Sequence, residues 1–136
     1  MSRHAFLLGL RALAVWLVLI SVEIVHGTLR TLWLAPHVGD FRSRQIGVFT
    51  GSILILVVAY LFARWLHADS TKSLLLIGLT WLALTVCFEL GVGRLFRSWE
   101  DLMSDYDILH GGLLPLGLIV LALSPWISAR LRQRQG

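Results

Sequence analysis

The stretch Glu23-Ile24-Val25-His26-Gly27-Thr28-Leu29-Arg30-Thr31-Leu32-Trp33 returns 66 positions later as Glu89-Leu90-Gly91-Val92-Gly93-Arg94-Leu95-Phe96-Arg97-Ser98-Trp99. Glu, Gly, Leu and Trp recur at matching places. Each copy closes an apolar run long enough to cross a bilayer. An ionisable side chain at membrane depth costs about 2.5–3.5 kcal/mol on insertion scales, so each glutamate needs a partner or a purpose.

The composition agrees with a membrane setting. Of 136 residues, 57% are hydrophobic and 15% charged, where a soluble domain carries about a quarter charged. Mean hydropathy is +0.77. A spanning helix needs about 20 mostly apolar residues. Four such segments and their connections use nearly the whole chain, which leaves no room for a soluble domain.

Segment one is expected from about Ala5 to His26, segment two from about Gln45 to Leu66, segment three from about Ser73 to Leu95, and segment four from after Gly112 to about Ile127. Pro36 disfavours helix at the residue before it, so Pro36 to Asp40 reads as a turn. Asp69 or Ser70 is placed to cap the third helix. The acidic stretch from Arg97 to Asp107 reads as a surface loop, with room for a short helical turn. Pro115 suits the first turn of the last helix, and Pro125 bends or stops it. The basic tail Arg130, Arg132, Arg134 is expected to fray. The N-terminal apolar run is longer than a signal-peptide h-region and lacks an A-x-A site, so it is expected to be a retained helix.

The predicted fold is therefore an all-α integral membrane protein. It is a single four-helix transmembrane domain over 1–136, built from two similar helical hairpins in parallel orientation, 5–66 and 71–132. The 66-residue offset also pairs Gly51 with Gly117 and Arg64 with Arg130. Repeats with an even number of spans are related by an axis along the membrane normal.

Helix positions three, four and seven apart share a face. Around Glu23 that face holds Trp16, Ile20, His26, Gly27 and Arg30. Around Glu89 it holds Thr85, Gly93 and, less well aligned, Arg97. Glu23, Glu89, His26, Arg30 and Arg94 are the candidate ligand- or ion-binding residues. Arg42, Arg44 and Arg97 would shape the field at the entrance. Gly27, Gly93, Gly47, Gly51 and Gly117 are the candidate packing positions, because small residues let helix backbones approach in lipid. Two carboxylates sharing one site would titrate as a coupled pair.

Three readings of this pattern compete. In the first, a small transporter or channel-like protein binds a cation or proton at the paired glutamates. In the second, each glutamate is sealed against an arginine in an accessory or assembly subunit of a larger membrane complex. In the third, Glu23-x-x-His26, with Glu89 and His110, binds metal, since the i, i+3 spacing occurs in di-metal bundles. The second copy has Val92 where the first has His26. No HExxH, nucleophile elbow or phosphate loop supports catalysis, and no pattern names a cofactor. Net charge is +4, but no basic surface is interleaved with aromatics, so nucleic acid is not an expected partner. The expected partners are the lipid bilayer and either a second copy or other membrane subunits. The single cysteine, Cys87, can form no internal disulfide and reads as a small core residue.

Arg3, Arg64, Lys72, Arg130, Arg132 and Arg134 fall on the side of the termini. Arg30, Arg42, Arg44, Arg94 and Arg97 fall on the other. The modest excess places both termini in the cytoplasm, in a membrane such as the bacterial inner membrane. Reporter fusions after Gly136 and near Asp69 should therefore both report cytoplasm. A C-terminal fusion active only on the outer side overturns this orientation.

Overall fold

The computed structural model describes residues 2–68 and 70–135, with side chains through 133. The capping role considered for Asp69 and the side chain of Arg134 lie outside the described residues. Six α-helices follow in order: α1 (Arg3–Leu29), α2 (Ala35–Val38), α3 (Asp40–Leu66), α4 (Thr71–Val92), α5 (Trp99–Tyr106) and α6 (Leu114–Gln135). A π-helical turn, Arg30–Leu34, joins α1 to α2, and short 3-10 turns follow α4 and precede α6.

Four stretches are long and apolar enough to cross a membrane: Arg3–Val38, Asp40–Leu66, Thr71–Leu95 and Leu114–Gln133. α3 packs mainly on α6 and α1, and α4 packs on α6 and, less extensively, on α1. Large apolar side chains point outward on every span, among them Phe6, Leu17, Phe49, Leu61, Leu79 and Ile119. In water that surface would drive aggregation, and in lipid it is the contact surface. One end of the bundle carries the termini and the connection from α3 to α4. The other, here the far end, carries the Gly39 turn and α5.

The first helix overruns the turn expected at Pro36. Proline lacks an N–H and its ring crowds the carbonyl four residues back. The π turn widens the helix just before this point, and the Ala35 N–H reaches the Arg30 carbonyl five residues earlier. Pro36 then lies in the first turn of α2, where no N–H is needed. The chain reverses instead at Gly39, whose φ of 91° belongs to glycine.

Pro125 does not stop α6 near Ile127 either, and the helix continues through the basic tail to Gln135. Proline at 125 leaves the Leu121 carbonyl without its helical donor. The Ser124 hydroxyl donates to that carbonyl at 2.7 Å, and Ser124 is fully buried. A neighbouring hydroxyl thus restores the bond that lipid cannot supply.

Ser70 caps α4, its hydroxyl accepting from the Ser73 N–H at 3.1 Å. The acidic stretch carries more than the short turn expected of it: eight of its residues, Trp99–Tyr106, form α5. Ser98 caps α5 by accepting from the Asp101 N–H, and Leu102 is buried below it.

The core lies toward the termini from the paired glutamates. Trp81 is fully buried and its indole N–H donates to the Ala12 carbonyl at 2.9 Å. One turn nearer the far end, the Trp16 indole donates to Thr85 Oγ1 at 3.0 Å. These two bonds set the register of α1 against α4. The tightest helix contact is at Gly78, where any Cβ would collide with the backbone carbonyl of Ala122 on α6. Gly78→Ala should therefore force α4 and α6 apart and cost about 1–3 kcal/mol, the usual penalty of overpacking. A thermal melt of the variant in detergent checks this, and a melt unchanged from wild type would count against the contact.

Candidate functional site

α1 turns Glu23, His26, Gly27 and Arg30 toward α3, as their spacing requires. α3 meets them with Gly47 and Gly51. A Cβ at Gly51 would lie 3.0 Å from Glu23 Oε2 and 3.5 Å from His26 Cε1. A Cβ at Gly47 would lie 2.9 Å from Arg30 Cδ. The missing side chains on α3 are thus the space in which the polar side chains of α1 sit. Gly117 on α6 faces Val48 and Ser52 of α3, and Gly93 faces Leu102 of α5. A Cβ at Gly27 would meet nothing, because that residue faces open space in the cavity wall.

Between α1, α3, α4 and α6 lies a cavity of about 220 Å³ toward the far end. It is roomy enough to hold several waters. Glu23 and Glu89 both line it, with His26, Arg30 and Thr85. Its base is apolar, formed by Leu19, Ile20, Ile55, Leu118 and Leu121.

The two carboxylates are the least satisfied groups of the site. Glu23 Oε2 lies 3.5 Å from His26 Nδ1, and Glu23 Oε1 is buried without a hydrogen-bond partner. Among the described residues Glu89 makes no hydrogen bond or ion pair, and neither glutamate lies within 4.0 Å of an arginine nitrogen. His26 Nε2 is held by Thr50 Oγ1 at 2.6 Å.

The arginines are engaged elsewhere. Arg44 donates through Nε to Asp105 Oδ1 at 2.8 Å, through Nη1 to Asp40, and through Nη2 to Ser104 at 3.3 Å. Arg97 donates to Asp105 Oδ2 at 3.0 Å and to the Asp101 carbonyl. Asp105 therefore bridges two arginines and ties α5 across the mouth. Gln45 donates to the Gly111 carbonyl at 2.8 Å, and Gly112 has no room for a Cβ against the carbonyls of Ser104 and Asp105. Arg30 donates Nη1 to Ser43 Oγ at 2.7 Å and lies 3.8 Å from Asp40.

Other expected site residues lie apart. Arg94 is stacked over the Trp99 ring at 5.3 Å and does not line the cavity. Arg42 is exposed. His110 bonds Asp107 at 2.7 Å outside the cavity, so it does not join Glu23, His26 and Glu89. Among the described residues no three His, Cys, Asp or Glu side chains gather as a metal site.

Asp105, Ser43 and Gln45 join the site without having been singled out by sequence. A signal existed for Asp105. Ser98-x-x-Asp101 is a helix start, and Trp99, Leu102, Met103 and Tyr106 follow at helical spacing. The Tyr106 hydroxyl is buried without a partner. Its pKa lies above the ordinary phenol value through burial first, then the charges of Glu89 and Asp105.

The chain matches no known family model, no curated protein and no solved structure.

Asp105→Asn should remove the carboxylate shared by two mostly buried arginines, since the side chains of Arg44 and Arg97 are only 12% and 27% exposed. Removing one partner of a fully buried pair costs about 3–5 kcal/mol, and the partners that Arg44 and Arg97 keep bring the expected loss below that. Thermal stability and proteolysis between Arg97 and Gly111 report the loss. Unchanged melting would show that the bridge does not hold α5.

Proposed function

We propose that this chain is a small polytopic membrane protein, transporter- or channel-like, with a paired-glutamate site for a cation or proton at the outer end of its bundle. The observation that carries the reading is that Glu23 and Glu89 line one cavity while neither has an arginine partner among the described residues. A structural ion pair would seal each carboxylate against a guanidinium. Here Asp105 and Asp40 occupy Arg44 and Arg97 instead. A carboxylate left without a partner at membrane depth is stabilised by what enters the cavity: water, a proton or a cation.

The same reading takes the far end as the outer face of a bacterial inner membrane, with both termini cytoplasmic. The excess of basic residues on the side of the termini supports this. It also takes 5–66 and 71–132 as two related hairpins, which the common 66-residue offset supports.

Glutamine keeps the shape of glutamate and removes only the charge. In Glu23→Gln and Glu89→Gln no arginine is orphaned, so thermal stability should stay within about 1 kcal/mol of wild type. Ion or proton flux in proteoliposomes should fall by at least about tenfold in each single variant, as expected from losing about 1.4 kcal/mol of cation stabilisation or more. Wild-type flux with a large loss of stability would reverse the reading and favour the accessory subunit.

A further inference from the structure

The cavity carries both signs of charge, and only part of that charge is free. Arg44 and Arg97 are committed to Asp105, with Asp40, Ser104 and the Asp101 carbonyl taking further donors. Arg30 differs from them. Its Nη1 is held by Ser43, while Nε and Nη2 make no hydrogen bond among the described residues. A guanidinium anchored at one nitrogen, with adjacent donors open, is preset to take an oxyanion bidentately. Below it, Glu23 and Glu89 present carboxylates without arginine partners. Below those, Leu19, Ile55 and Leu121 form an apolar base.

The vertical order follows from α3. Glu23 lies against Gly51, the Arg30 stem against Gly47, and the Arg30 guanidinium reaches Ser43. Four to eight residues of helix at 1.5 Å each put the carboxylate about 6–12 Å from the guanidinium. A hydrogen bond of about 2.9 Å at each end leaves about 0–6 Å between the charges of a ligand. That is the separation found in a short amino acid, and about 220 Å³ admits a molecule of that size.

We propose that the cavity selects a small zwitterion, its ammonium held by Glu23 and Glu89, its oxyanion by Arg30, and its apolar chain directed to the base. This rests on the reading of the glutamates as a cation site and adds the anion half to it. A free amino acid and an aminophospholipid headgroup share this chemistry.

The test is equilibrium binding to the full chain in phosphatidylglycerol nanodiscs, with three matched probes. L-norvaline carries both charges, butylamine lacks the carboxylate, and pentanoate lacks the amine. Norvaline should bind at least about tenfold tighter than either, since one hydrogen bond to a charged group is worth about that much. Glu23→Gln should weaken norvaline. Arg30→Gln should collapse the ratio of norvaline to butylamine affinity toward one. Arg30→Lys, which keeps the charge without the planar fork, should narrow that ratio by less, and it serves if Arg30→Gln does not fold. Norvaline binding no tighter than butylamine, or a ratio unchanged in both arginine variants, overturns the zwitterion. The cation site then stands or falls on the glutamate flux experiment alone. Competition by added phosphatidylethanolamine identifies a headgroup as the source of the same charge pair, and its absence identifies a soluble zwitterion.

Discussion

The structure keeps the two carboxylates of one cavity apart from four arginines of the same end of the bundle. In a low dielectric a free guanidinium beside a free carboxylate collapses into an ion pair. The chain prevents this by giving the arginines other partners. Asp105 takes Arg44 and Arg97 together, Asp40 and Ser43 restrain Arg30, and the Trp99 ring receives Arg94. α5 is therefore more than a connection. It is the element that delivers Asp105 to the mouth, and Leu102 and Gly112 are the packing that lets it lie there.

The same economy of polar groups governs the backbone. A span in lipid must satisfy its own N–H and C=O groups. Pro36 and Pro125 each remove a donor, and each loss is absorbed locally. At Pro36 the helix widens by one residue, and at Pro125 a buried hydroxyl turns back onto Leu121. The first solution has a consequence for the site. The π turn begins at Arg30 itself, so the widened geometry helps to set where the guanidinium sits relative to Ser43 and Asp40.

The fold was legible because it rests on length and hydropathy. Four apolar runs with short connections have few other arrangements, and each run lies within one observed span, although the first and last spans run on past their expected ends. What was misread lay at the prolines and in the acidic stretch. A rule about Pro36 looks only at the residue before it, whereas the outcome turned on a π turn spread over five residues. The acidity of Glu100, Asp101, Asp105 and Asp107 suggested solvent, yet Asp105 is drawn inward by two arginines remote from it or on another element. Arg44 lies 61 residues away in sequence, and no local pattern announces that pairing. Glu23, His26 and Arg30 were legible as a group because helical spacing alone puts them on one face. The place of Glu89 in the same cavity followed from depth. Arg94 was grouped with Arg30 on the strength of its position near the second glutamate, but nothing in periodicity shows that an adjacent tryptophan will take it.

The two carboxylates occupy matching sequence positions, yet their surroundings differ in ways that matter for recognition. Glu23 faces His26 and the bare backbone at Gly51, so the space before it is set by α3. Glu89 has Val92 where Glu23 has His26, and among the described residues it makes no hydrogen bond or ion pair. One glutamate is thus placed by the packing of α1 on α3, while the other lines the cavity without a polar partner. The two carboxylates share one cavity but not one environment, which no symmetry of the 66-residue offset would have indicated.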